Sequence, residues 1–140
     1  MIKVNSYNSF ERIGGTMIGG GTLLGLSNLL TGIKDFDTII RKAQTGNNGN
    51  VDMLVRDIYG DNSPFKELQG DLLASSFAKM ANDTKPGSLK ERYSEDDILN
   101  SLVTMISFNI GQLAYYSASL HNIKTIYFVG GYVRNNFLGM

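Results

Sequence analysis

Residues 14–22 read GGTMIGGGT, five glycines within eight residues, and the apolar run LLGLSNLLTG follows directly. Glycine loses the most backbone freedom on folding and brings no side chain to a core, so a cluster this dense must meet a local demand. What comes next sets that demand. From Thr22 to Thr31 the leucines Leu23, Leu26, Leu29 and Leu30 recur at helical spacing, and Gly32 stands where a left-handed C-terminal cap falls. The glycines therefore precede a short buried helix, whose first amides have no intrahelical partner and attract anions. In one reading Gly19, Gly20 and Gly21 let a phosphate approach those amides, with the Thr22 hydroxyl capping the helix or touching a phosphate oxygen. In the other they only make a tight strand-to-helix connection. The run fits neither standard nucleotide loop. No lysine follows, as GxxxxGK[ST] requires, and Leu24 occupies the last glycine position of a GxGxxG counted from Gly19.

The rest of the chain reads as an α/β domain. IKVNSYNSFERI suits one or two short strands joined near Asn5 to Asn8. Asp35 can cap a helix with Phe36, Ile39, Ile40 and Ala43 on its apolar face, ending at Gly46. Asn50 can cap another, with Val51, Leu54, Val55 and Ile58 on one side and Gly60 at its end. QTGNNGN and DNSPF are polar turns, DLLASSFAKM is moderately helical, and NDTKPGSLKERY is an exposed loop. Ser94, with Asp97 three residues on, opens the longest helix, whose stripe is Ile98, Leu102, Met105, Ile106, Ile110 and Leu113. Ile126 to Val129 forms a strand stopped by Gly130 and Gly131, and YVRNNFLGM begins a new helix. A pattern that stops inside a helix is expected of a piece of a longer protein.

Bulk properties narrow the function classes. At 140 residues one domain is the expectation, burying roughly two-thirds of its unfolded surface. Lysine plus arginine equals aspartate plus glutamate at 13 each, so no overall field draws nucleic acid or an anionic membrane. The balance of 42% hydrophobic and 19% charged residues is that of a globular chain without a membrane span. With no cysteine, disulfides and thiolate metal sites are excluded, and MIKVNSYNSF lacks the apolar core of a secretory signal, which makes the cytoplasm the expected compartment.

Other candidate residues are weighed singly. Gly130 and Gly131 read best as a plain turn, but paired with the first glycine cluster they predict two junctions converging at one end of a sheet, where ligands of α/β folds bind. Arg12, just before the cluster, can hold a carboxylate by two parallel hydrogen bonds or be a simple surface arginine. His121, the only histidine, and the acidic run Glu95, Asp96 and Asp97 read as helix-end charges, not as catalytic or magnesium-binding groups. Tyr115 and Tyr116 read as half-buried packing.

ERIGGTMIGGGTLLGLSNLLTG, then NVDMLVRDIYG, LLASSF, SLVTMISFNIG and IYFVGG, together resemble the C-terminal half of the eukaryotic-type pantothenate kinases, in family order and over nearly the whole chain. The resemblance implies an actin-like, acetate-and-sugar-kinase fold, of which residues 1–140 would form most of the second lobe, a mixed sheet with flanking helices. The first lobe and the extreme C-terminus would be absent. It implies transfer of a phosphoryl group from ATP, with Mg2+, to pantothenate at the entrance to coenzyme A synthesis, in a homodimer inhibited by acyl-CoA. By position, Gly19, Gly20, Gly21, Thr22 and Gly130 match the ATP site, Arg12 matches the substrate-holding arginine, and Tyr59, Leu73 and Ala74 match the pantothenate channel. The family's lysine-bearing phosphate loop and its base glutamate would lie upstream, so no catalytic residue is expected among these 140 and the segment alone would be silent. Departures are GDNSPF after Tyr59, a longer NDTKPGSLKERY loop, and Tyr115 in place of a common arginine, which put the acyl-CoA response in doubt. A non-catalytic relative that senses acyl-CoA or serves assembly is the alternative.

Overall fold

The β-branched and aromatic residues at the start of the chain form a hairpin in the computed structural model, which describes residues 1–60 and 68–134. β1 (Ile2–Ser6) pairs antiparallel with β2 (Ser9–Arg12), with Ile2 opposite Arg12 and Val4 opposite Phe10. Ile2, Val4 and Phe10 all remain exposed.

α1 (Gly20–Thr31) ends at Gly32, which is left-handed (φ 78°) and donates its amide to the Asn28 carbonyl at 2.9 Å. Only Leu23 and Ser27 of α1 are fully covered and Leu29 is exposed, so the helix is one-sided and not the buried element expected. α2 (Phe36–Thr45) begins where Asp35 accepts the Thr38 amide at 2.9 Å, and it buries Ile39, Ile40 and Ala43.

Two sequence expectations fail in the middle of the chain. A helix from Asn50 is replaced by a 3₁₀ turn (Asn48–Asn50), β3 (Met53–Leu54) and the short α3 (Val55–Tyr59). The moderately helical DLLASSFAKM is instead β4 (Leu73–Ser75), paired antiparallel with β3, followed by α4 (Ala78–Ala81). Helical φ/ψ at Met53 and Leu54 would break that pairing, and the Asp57 carboxylate takes the Leu54 amide at 2.7 Å, which starts α3 later than expected. Phe77, at φ 61°, interrupts any helix through the second stretch.

The polar stretch from Asn82 to Tyr93 is a loop carrying the single turn α5 (Leu89–Arg92). Arg92 closes it on itself, donating to Asp83 at 2.8 Å and to the Pro86 and Gly87 carbonyls at 3.0 Å. α6 (Glu95–Leu120) then runs for 26 residues from its Ser94 cap, whose Oγ accepts the Asp97 amide at 3.1 Å. The core lies along its first half, where Ile98, Leu99, Leu102, Val103 and Ile106 meet Leu23 of α1, Ile39, Ile40 and Ala43 of α2, and Val51. Each fully buried leucine or isoleucine there contributes about 1.5–3 kcal/mol.

The strand expected at Ile126 to Val129 is absent. An extended segment is held by ladder partners, and the described strands occur only as the pairs β1–β2 and β3–β4. The described residues therefore hold two small antiparallel sheets with helices, without the single mixed sheet the resemblance implies. Beyond it, Gly131–Val133 form a 3₁₀ turn. The expected turn DNSPF and the body of the helix expected after Gly131 lie outside the described residues.

Candidate functional site

At the start of α1, Leu23 is the first residue to bond back, its amide reaching the Gly19 carbonyl at 3.0 Å. No side chain caps this end, so the amides of Gly20, Gly21 and Thr22 form its open first turn. The Thr22 hydroxyl accepts the Gly19 amide at 3.2 Å and donates to the Met17 carbonyl at 3.1 Å. Its proton is thereby committed to closing the loop, and what Thr22 offers an anion is its own amide.

Neither backbone strain nor close packing accounts for the three glycines. Gly19 is extended (φ −169°), a conformation open to any residue, and Gly20 and Gly21 are helical. A methyl group on Gly19 or Gly21 would meet nothing within 4 Å, and one on Gly20 would make an ordinary contact with the Tyr132 ring at 3.6 Å. The space that these residues leave open is outside the protein.

The second glycine junction comes to the same place. Gly20, Leu24, Phe36, Asp37, Gly131, Tyr132 and Arg134 line one open cavity of about 400 Å³. Tyr132 anchors the junction: its hydroxyl lies 2.8 Å from Ser107 Oγ on α6, and its ring meets Phe36 edge-on with centroids 6.3 Å apart. Gly130, at φ 120° and ψ 176°, occupies a region essentially reserved for glycine, so this turn does need its residue type. Sequence reasoning missed Phe36, Asp37, Tyr132 and Arg134. The available signal was an aromatic residue and an arginine directly after a Gly-Gly turn, which a helical reading of YVRNN absorbed.

Arg12 ends β2, exposed, with its guanidinium turned over the first glycine pair: a methyl group on Gly15 would stand 2.8 Å from Arg12 Nη2. Tyr59, Leu73 and Ala74 belong to a different part of the molecule, the β3–α3–β4 unit. Tyr59 is the last residue of α3, and Leu73 and Ala74 lie in β4, Leu73 opposite Leu54. None of these four residues lines the cavity.

The acidic first turn of α6 does more than complement a dipole. Asp97 accepts the Asn47 amide at 2.7 Å and Asn50 Nδ2 at 2.9 Å, and Asp96 takes Lys42 Nζ at 2.8 Å and Thr45 Oγ1 at 2.7 Å. The Lys42 contact, followed by Thr45, holds the Asp96 carboxyl below the usual aspartate range. For Asp97 burial pushes upward, but the Asn47, Asn50 and Ser94 hydrogen bonds leave it lowered. His121 follows α6 as its C-terminal cap, with its amide on the Ser117 carbonyl. Tyr115 and Tyr116 are exposed, not half-buried. Among the described residues no three histidine or acidic side chains come together to hold a metal ion, and no helix is long and apolar enough to cross a membrane.

The family model described as Fumble matches residues 1–140. Pantothenate kinase of Schizosaccharomyces pombe is 44% identical over 138 residues, which cover 97% of this chain and 34% of that protein. Pantothenate kinase 1 of Arabidopsis thaliana is 46% identical over 135 residues, 96% of this chain and again 34% of the relative. The 4'-phosphopantetheine phosphatase of Mus musculus is 44% identical over 136 residues, 97% of this chain and 16% of that protein. This chain thus spans about a third of the length of the two kinases it matches.

Proposed function

The chain belongs to the Fumble family, and from that premise we propose that it is part of a pantothenate kinase, transferring a phosphoryl group from ATP to pantothenate at the start of coenzyme A synthesis. One observation carries the reading: Gly20 at the open first turn of α1 and Gly131 of the distant Gly-Gly turn line one cavity. Phosphoryl transfer needs positioning and charge stabilisation more than covalent help. The amides of Gly20, Gly21 and Thr22 supply positive charge for ATP phosphates, and the open space beside Gly19 and Gly21 lets oxygen atoms reach them. Gly130 shapes the facing turn.

In this reading Arg12 holds the pantothenate carboxylate, and Tyr59, Leu73 and Ala74 line the channel for the rest of that substrate. The 4'-hydroxyl oxygen of pantothenate bonds to the γ-phosphorus, the bond from that phosphorus to the β,γ-bridging oxygen breaks, and ADP leaves with the electron pair. The hydroxyl proton passes to a general base outside these 140 residues. Mg2+ would arrive on the ATP phosphates, which supply most of its ligands in such reactions, since among the described residues no three acidic or histidine side chains gather to cage it. An actin-like arrangement of two lobes, a cytoplasmic homodimer and inhibition by acyl-CoA belong to the same proposal.

The test uses protein expressed from its complete reading frame, incubated with Mg-ATP and pantothenate. Formation of 4'-phosphopantothenate is expected; none at saturating substrate overturns the proposal. A second reading, a kinase-like module without kinase activity that binds acyl-CoA or serves assembly, is favoured by the 44% identity to a protein named for a phosphatase. It predicts acyl-CoA binding by calorimetry in the same preparation with no phosphate transferred.

A further inference from the structure

Asp52 is fully buried, and among the described residues no cation pairs with it. A carboxylate in such a place is costly unless its lone pairs are well used. Three donors from three separate segments use them. Oδ1 accepts the Ser101 hydroxyl of α6, and also the Phe77 amide at 2.8 Å, and Oδ2 accepts Asn48 Nδ2 from the 3₁₀ turn at 2.9 Å.

These contacts bracket β3 and β4. Asp52 directly precedes β3, and Phe77 lies two residues beyond β4. Phe77 is also one of two described non-glycine residues with positive φ, a conformation that persists only where neighbours impose it. The neighbours that impose it are visible. Asp52 grips its amide, the Lys79 amide bonds the Val51 carbonyl at 3.1 Å, and Lys79 Nζ bridges the Gly49 carbonyl and Asp57.

We propose that Asp52 is a positioning residue: by holding Phe77 in its left-handed conformation against α6, it fixes the edge of β4 that presents Leu73 and Ala74 to pantothenate. The assignment of Leu73 and Ala74 rests on the kinase reading; the clamp itself rests on the hydrogen bonds. A carboxylate is suited to the task because it accepts from all three donors at once, whereas an amide turns a donor toward one of them.

The test compares Asp52→Asn with wild type in protein from the complete reading frame. The pantothenate KM is expected to rise by on the order of tenfold, about 1.4 kcal/mol, with the ATP KM within about twofold. Amide hydrogen exchange gives a second readout. Val55 and Arg56, whose amides bond the Leu72 and Gly70 carbonyls at 2.9 Å, should lose protection while Leu102 in the core keeps it. A folded variant with unchanged pantothenate KM, or with both KM values shifted equally, overturns the proposal. If Asp52→Asn does not fold, Ser101→Ala, which removes one donor of the three, is judged by the same criteria. If wild type transfers no phosphate to pantothenate, the kinase reading fails separately, and unchanged protection at Val55 and Arg56 in the variant overturns the clamp.

Discussion

Gly21 and Gly25 both lie in α1 with nothing within 4 Å of an added methyl group, yet they should answer differently to substitution. Alanine in a helix is favoured over glycine by up to about 1 kcal/mol, so Gly21→Ala and Gly25→Ala should both leave stability equal or higher in urea denaturation. Only Gly21→Ala puts its methyl at the open first turn. Its ATP KM should rise on the order of tenfold, while Gly25→Ala leaves that value unchanged. Equal KM values for the two variants would return the glycines to a connecting role. Arg12 is tested by Arg12→Ala, expected to lower kcat/KM for pantothenate by about tenfold or more, on the order of 1.4 kcal/mol of transition-state binding. Steady-state kinetics indistinguishable from wild type would take Arg12 out of the site. Gly46 shows the opposite kind of glycine, since an added methyl would fall on the Asp96 backbone. Its φ of −80° is ordinary, so the requirement comes wholly from the close approach of α2 to α6.

Among the elements, the first turn of α6 ties the most together. Through Asp96 it holds the end of α2, and through Asp97 the 3₁₀ turn. Asn100, one turn further, donates to the Ala43 carbonyl at 2.7 Å and the Gly46 carbonyl at 3.2 Å, closing the C-terminus of α2. Asp57, held low first by Lys79 and then by the Leu54 amide, does the same for β3 and α3. Because the folded carboxyls of Asp57, Asp96 and Asp97 lie below the ordinary aspartate value of 3.8, their contribution is complete above that value. It is lost as pH falls from there through the folded values. Urea midpoints should therefore hold steady between pH 7 and about 5 and drop below about 4, and a midpoint unchanged at pH 3 would contradict these contacts. The helix starts at Asp35 and Ser94 were legible because a cap bonds within its own first turn. β3 and β4 were not, because each is too short for a period and owes its conformation to the other and to Asp52.

For the whole molecule, apolar surface is the outstanding feature. Val4, Phe10, Tyr127 and Val129 are 72%, 71%, 84% and 88% exposed, in segments of strand-like composition. Exposed apolar segments of this kind associate. The 140-residue chain prepared alone should bind a hydrophobic dye and sediment with concentration-dependent mass, and Tyr127→Lys with Val129→Lys should reduce both. A dye-silent monomer would show that this surface is covered in solution. The sequence by itself determined α1 with its Gly32 cap, α2 and α6 with their Asp35 and Ser94 caps, and strand structure at the N-terminus, since all of these follow from contacts between residues close along the chain. The sequence predicts that the two glycine junctions converge, but tertiary structure alone decided that Tyr132 is the residue packed there with no sheet end beneath it, that residues 73–75 are a strand and not a helix, and that Ile126 to Val129 is not one. In each case the deciding partner stands far away in sequence, and local periodicity carries no record of it.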